Sequence, residues 1–312
     1  MSSPTDRLLR SLEWRVVRRL DGRLQGTYRT VFRGAGIDLA GLRPYVPEDD
    51  VRHIDWNVTA RLDEPFVRLY TEDRDLTAWL VLDRSASMRF GRGEHGKDVA
   101  LTELAVSLAR LMVGGGNRVG AILYDNTASQ VVPPGTGRTH VLRLTHELLR
   151  ERPPRPRPRP RDKRARSEQA RTTDVGAMLS LAAATIRRRS LVFVISDFIS
   201  DTDWERPLTR LAYRNEVVAL RVVDSAEREI PDLGLVVVED AETGEQVLAD
   251  TGDPLFRERF AQQVDAQDAR VAGSLRHAAV PGHDVSTEDD LVDTFTELVH
   301  RSGQVAASGR AG

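Results

Sequence analysis

Four near-continuous apolar runs, residues 76–82, 119–124, 191–195 and 217–223, alternate with stretches whose apolar residues recur at helical spacing. A run without a polar residue at every second position suits a strand buried on both faces, and such strands need helices on both sides of their sheet. The intervening stripes supply them. Leu101, Leu104, Ala105, Leu108, Leu111 and Met112 mark one helix, stopped at Gly114, Gly115 and Gly116; Val175, Met178, Leu179, Ala182 and Ile186 mark another, and Trp204, Leu208 and Leu211 a third. A short strand near 130–132, a helix from His140 to about Arg152, a helix over 254–277, a strand near Val285 and a closing helix through Leu291, Val292, Phe295, Leu298 and Val299 complete the pattern. Leu235 to Val238 and Gln246 to Leu248, joined across Glu242, Thr243 and Gly244, read as an inserted hairpin. The expected fold is α/β, with a mostly parallel sheet, right-handed crossovers and a site at the strand C-termini.

Composition removes several functions. The chain has no cysteine, which excludes thiolate zinc sites, iron–sulfur clusters, cysteine nucleophiles and disulfide scaffolds. Its 45 Lys and Arg nearly balance 47 Asp and Glu, so no global field draws it to nucleic acid or anionic lipid. No apolar run approaches the roughly 20 residues that span a bilayer, and the N-terminus lacks a signal-peptide core, which predicts a cytoplasmic protein.

The flanks are less regular. Leu8, Leu9, Leu12, Val16, Val17 and Leu20 share a face between arginines, predicting an amphipathic helix docked on the core. Gly34, Gly36 and Gly41 punctuate a predicted loop, followed by Pro44, Tyr45, Pro47 and the acidic run Glu48, Asp49, Asp50; Phe66 to Tyr70 read as a strand. Arg43, Arg52 and Arg61 are placed to pair with the acids, with His53 and Asp55 in the same structural role and Trp56 as an anchor to the main domain. Between 153 and 172 alternating arginine and proline forbid helix or central strand and predict a linker. The boundaries are 1–72 for a small N-terminal module, 73–305 for the main domain with linker 153–172 and hairpin 230–252 inserted, and 306–312 for a tail.

Candidate chemistry lies where strands end. Asp83, Ser85 and Ser87 leave the first buried strand in a D-x-S-x-S spacing, Thr173 precedes a helix, and Asp197 ends a later strand. Mg²⁺ takes about six oxygens at roughly 2.1 Å, and hydroxyls supply oxygens without cancelling its charge. The spacing alone is a weak signal; the convergence of three loops on one sheet edge carries the expectation. The competing reading is that these residues cap the following helices.

Asp83-Arg84-Ser85-Ala86-Ser87-Met88, Thr173-Asp174 and Val194-Ile195-Ser196-Asp197 resemble the three parts of the metal-ion-dependent adhesion site of von Willebrand factor A domains. More narrowly, the chain from about residue 30 to 300 is similar to the family catalogued as domain of unknown function 58, through Tyr45 to Trp56, Thr59-Ala60-Arg61, Asp224 with Glu227, and Glu242-Thr243-Gly244-Glu245. Glu48 stands where that family usually has glycine, and the transmembrane helices that precede this region in many relatives have no counterpart in the sequence. The resemblance implies a von Willebrand A-like, Rossmann-type sheet flanked by helices. It implies a non-enzymatic adaptor whose Asp83, Ser85, Ser87, Thr173 and Asp197 hold Mg²⁺ or Mn²⁺, with a position open to a partner's carboxylate. It also implies a MoxR-type AAA+ ATPase as the partner class.

Two other functions compete with that reading. A metal-dependent phosphoesterase with Asp83 as nucleophile would want a second carboxylate two residues on, where this chain has Ser85; the only lysines, Lys97 and Lys163, lie in no phosphate loop. The arginine-rich segment could hold nucleic acid or an acidic surface by charge, but it lacks interleaved aromatics for base stacking, so no specific nucleic-acid partner is expected.

Overall fold

The computed structural model describes residues 38–46, 51, 54–62, 64–71, 76–91, 96–126, 128–150, 173–200, 202–239 and 246–289. The predicted N-terminal helix, the acidic run 48–50 with Arg52 and His53, the linker 153–172, the hairpin turn 242–245 and the closing helix 291–299 lie outside them. Among the described residues no helix is long and apolar enough to cross a membrane.

A small unit comes first. Strand β1 (Asp38–Pro44) pairs antiparallel with β2 (Phe66–Thr71), and helix α1 (Trp56–Leu62) lies between them in sequence. Of the stretch expected to be a loop, residues 38–44 are therefore a strand, with Gly41 at a register shift; Gly34 and Gly36 lie outside the described residues. Asp55 is buried and accepts from the Val58 amide, so it caps α1, while Thr59 Oγ1 accepts from the Phe66 amide. Trp56 is 68% exposed rather than buried as an anchor would be, which corrects the role expected of it. At the start of a short helix, the buried aspartate cap fixes the segment instead. Of the arginines expected to brace the acids, Arg43 donates to the Pro44 carbonyl.

The main sheet contains β3 (Thr77–Asp83), β4 (Arg118–Asp125), β5 (Ala128–Gly135), β6 (Leu191–Ser196), β7 (Glu216–Val223) and the late strand Gly282–Ser286. Helices α2 (Lys97–Gly114), α3 (Gly137–Leu149), α4 (Val175–Thr185), α5 (Glu205–Arg214) and α6 (Pro254–His277) connect and cover them. Between β7 and α6, β8 (Leu235–Glu239) and β9 (Gln246–Asp250) form the predicted antiparallel hairpin, and Gly282–Ser286 is β10. The sheet order is β10-β7-β6-β3-β4-β5, parallel throughout except for the β4–β5 edge. Strand β5 extends beyond the expected 130–132 through Pro133 and Pro134, which an edge strand tolerates because one side of it needs no donors.

This is the α/β arrangement that the apolar runs predict, a mostly parallel sheet with helices on both faces. Within β3, Leu80 and Leu82 face the core built by α2 and α3, around Leu104, Leu108, Met112 and Leu144. Trp79 and Val81 face the opposite core with Met178, Leu179, Leu208 and Leu211. Each such side chain is worth about 1.5–3 kcal/mol in burial, so a period-two polar pattern in these strands could not be sustained. At the base of the hairpin, Thr251 Oγ1 donates to the Gly234 carbonyl and accepts from the Leu233 amide. Leu235, Val237, Val247 and Leu248 of the hairpin are exposed.

Candidate functional site

Counted within the main sheet, the strands run 3-2-1-4-5-6 in reverse of the order above, with β3 as the first, and the direction of winding reverses between β3 and β6. At that switch point the connections leave in opposite directions and open a crevice beyond the carboxyl ends. Leu82 pairs with Ile195, so Asp83 and Ser196 follow side by side at the rim of that crevice. Ser196 Oγ donates to Asp83 Oδ2 at 2.6 Å, and the Ser85 amide donates to Asp83 Oδ1 at 2.9 Å. The carboxylate is fully buried. Burial, and then the Asp197 carboxylate, push its pKa up to about 6 against the pull of the Ser196 hydroxyl and the Ser85 donors.

The hydroxyls come together around it. Ser85 Oγ lies 3.0 Å from Ser87 Oγ, which lies 3.4 Å from Thr173 Oγ1. Oxygens at neighbouring corners of an octahedron of radius about 2.1 Å are about 3.0 Å apart; the Ser85–Ser87 pair has that separation, the Ser87–Thr173 pair is wider, and both are within hydrogen-bond reach. Ser85 and Thr173 are buried, and Ser87 is half-buried. Among the described residues there is no metal-competent group of three or more His, Cys, Asp or Glu, so any cation here depends on hydroxyl oxygens.

Each loop is held by a separate device. Arg84 of the first loop reaches back to donate to the Glu147 and Leu148 carbonyls at the end of α3. The Thr173 carbonyl accepts from Ser200 Oγ; Ser200 pairs with Thr202, and Thr202 Oγ1 donates to Asp174 Oδ1 at 3.0 Å. Asp174 caps α4 through the Ala177 amide, and its own amide donates to Asn126 Oδ1. Capping therefore explains Asp174 but not Ser85, Ser87 or Thr173. A Cβ on Gly176 would sit 2.8 Å from the Asp203 carbonyl oxygen. Gly176→Ala should therefore push α4 from the 200–204 loop and cost about 1–3 kcal/mol in urea unfolding; wild-type stability in that variant would show that the loop yields freely.

Asp197 is buried beside this cluster, but its oxygens are engaged elsewhere. The Ile199 amide donates to Oδ1, and Lys97 Nζ donates to Oδ2 at 2.9 Å. Arg221 Nε donates to the Asp197 carbonyl. The turn is unusual: Phe198 is fully buried with φ of 56°, and its ring lies 5.3 Å from that of Trp204. Its amide donates to Ser196 Oγ, which ties the turn to Asp83.

Sequence reasoning missed Lys97. It opens α2, is fully buried, and bridges Asp197 to Glu227 Oε1 at 2.6 Å. Burial depresses its pKa, but the two carboxylates outweigh that and hold it above the usual lysine value. A signal was present: only two of the 45 basic residues are lysine, and one sits at a helix N-terminus, where the helix dipole disfavours a cation. Glu227 follows β7 and lines an open groove of about 580 Å³ between that strand and α6, with Arg221, Phe260, Val264 and Asp268.

Residues 41–270 match the family described as Protein of unknown function DUF58. The uncharacterized proteins Rv1480 of Mycobacterium tuberculosis and Mb1516 of Mycobacterium bovis are each 36% identical to this chain over 301 residues, covering 96% of it and 90% of the relative. Similar solved structures include BatB from Bacteroides thetaiotaomicron, at 12% identity and TM-score 0.42 over 73% of this chain and 99% of that one. The SpRpn10 VWA domain is similar at 10% identity and TM-score 0.35, over 71% and 93%. On the match across most of its length and the identity to these mycobacterial proteins, the chain belongs to the DUF58 family.

Proposed function

We propose that this protein is a non-catalytic, divalent-cation-dependent adaptor that binds another protein at the β3–β6 switch point. The observation that carries the reading is the triplet of Ser85, Ser87 and Thr173 hydroxyls, 3.0 and 3.4 Å apart, beside the buried Asp83 carboxylate. These residues would hold Mg²⁺ or Mn²⁺, with Asp197 behind them. An ion held largely by neutral oxygens stays electrophilic and supplies an open position for a carboxylate from outside. The family resemblance supports a MoxR-type AAA+ ATPase as the source of that carboxylate, and an ATP-driven partner fits a cytoplasmic setting. Ser85 stands where a phosphoesterase would want its second carboxylate, which favours binding over turnover.

The test is capture of a purified MoxR-type ATPase from the same organism by the immobilised protein, with Mg²⁺ or with chelator, for wild type and Asp83→Ala. Capture that needs both the cation and Asp83, with unchanged circular dichroism, is the expected result. Retained capture by Asp83→Ala would remove the site from the interaction. Turnover of a generic phosphoester that is lost in the same variant would make the protein a hydrolase instead.

A further inference from the structure

The least economical feature of the molecule is Lys97. A lysine with no exposed surface stands at the first position of an 18-residue helix, where the unpaired amides already carry positive charge and Gly96 offers no side-chain cap. A buried ion pair is a weak source of stability, since an apolar side chain of similar volume often serves as well. Local rules broken without local gain point to function. The ammonium touches two carboxylates, Asp197 on the floor of the candidate cation site and Glu227 on the wall of the groove behind it.

We propose that Lys97 is a built-in cation of this site, which holds Asp197 away from metal coordination and sets the affinity for the divalent ion through its charge. The proposal rests on the reading of the site as a divalent-cation centre. With its Oδ2 held by the ammonium and its Oδ1 by the Ile199 amide, Asp197 acts as the counter-charge of Lys97. The cation is left with Asp83 and the hydroxyls of Ser85, Ser87 and Thr173. It meets the field of a nearby ammonium, so binding stays weak enough to depend on the extra carboxylate that a partner brings. Glu227 tempers that field from the other side. Lys97 is thus a positioning residue, placed to make cation binding and partner binding interdependent.

The experiment is titration of Mn²⁺ into the metal-free full chain at pH 8 and low salt, followed by calorimetry and by loss of the free-ion electron paramagnetic resonance signal. Wild type, Lys97→Met and Glu227→Gln are compared. Removing a positive charge so close to a divalent ion should tighten binding by about tenfold or more. Glu227→Gln leaves the ammonium less compensated and should weaken it several-fold. A residue needed only to hold the fold would move affinity the opposite way in Lys97→Met, or not at all. If wild type binds Mn²⁺ and Lys97→Met binds it equally or more weakly, the inference fails while the cation site stands. If neither protein binds, the cation site itself fails, and the inference with it. Binding by Lys97→Met alone would overturn the wild-type cation reading, and with it the inference that Lys97 tunes an ion bound there. Should Lys97→Met not fold, Lys97→Gln, which keeps hydrogen-bonding capacity without the charge, takes its place: tighter Mn²⁺ binding supports the proposal, and equal or weaker binding overturns it.

Discussion

In chelator, Asp83→Asn is expected to make the protein more stable at pH 8 and, under the proposed cation-dependent function, to remove the stabilisation that Mg²⁺ would give. In the folded chain the Asp83 carboxyl titrates at about 6, above its ordinary value of 3.8, because burial and then the Asp197 charge oppose ionisation. Between those values the folded state holds a proton that the unfolded chain has released. This group's contribution to stability is therefore full below about pH 4, falls as pH rises through about 6, and is lost above it. About two pKa units correspond to roughly 3 kcal/mol, so relief of about 1–3 kcal/mol is expected from an uncharged isostere. Asparagine can accept from the Ser85 amide, but its amide meets Ser196 Oγ only if that hydroxyl gives up its own donation to residue 83, which is why the relief is smaller than the full shift. Glu227, raised first by burial, adds a slope of the same sign in both proteins. Urea unfolding in chelator at pH 4.5 and 8 is the measurement. An Asp83→Asn variant less stable than wild type at pH 8 would mean that the carboxylate is well solvated or better paired than its surroundings indicate. Under the proposed function, addition of Mg²⁺ should reverse the ranking, since only wild type offers it the Asp83 carboxylate.

Phe198 carries the second large effect. Its side chain fills the core next to Trp204, so Phe198→Ala should cost about 3–5 kcal/mol. Its φ of 56° adds a less ordinary expectation. The left-handed region costs an L-residue with a Cβ about 1–2 kcal/mol, and glycine avoids that cost. Phe198→Gly should therefore be the more stable of the two truncations, by about 1 kcal/mol, the reverse of their usual order. Paired urea melts of the two variants decide it, and alanine at or above glycine would show that the turn relaxes once the ring is gone.

The strands and helices of the main domain were legible because burial on two faces leaves no alternative reading of runs such as 76–82 and 191–195. The expected helix over 254–277 matches Pro254–His277, since Asp253 at its cap and Pro254 behind it are local signals that need no tertiary partner. The reach of β5 was not legible, because Pro133 and Pro134 argue against a strand until the strand is known to be an edge. Nor was β1, whose Gly41 signals a turn locally but serves as a bulge once β2 lies beside it. Trp56 misled for a related reason: a large aromatic in a polar segment suggests an anchor, yet Asp55 took the buried position one residue before it.

The site divides in the same way. Asp83, Ser85 and Ser87 are close in sequence, and the alternation of an extended turn was enough to suggest that their oxygens share a direction. That Thr173 joins them depends on Ser200, Thr202 and Asn126, residues from two other loops whose hydrogen bonds form only when the sheet is assembled. The strands, the helices between them and the edge on which oxygens gather were readable along the chain, because hydrophobic periodicity and strand-end chemistry are local properties. The strand order and the electrostatics were not. A lysine 100 residues from Asp197 in the chain becomes its hydrogen-bond partner through the packing of α2 against the sheet, and no local pattern encodes a charge pair of that separation.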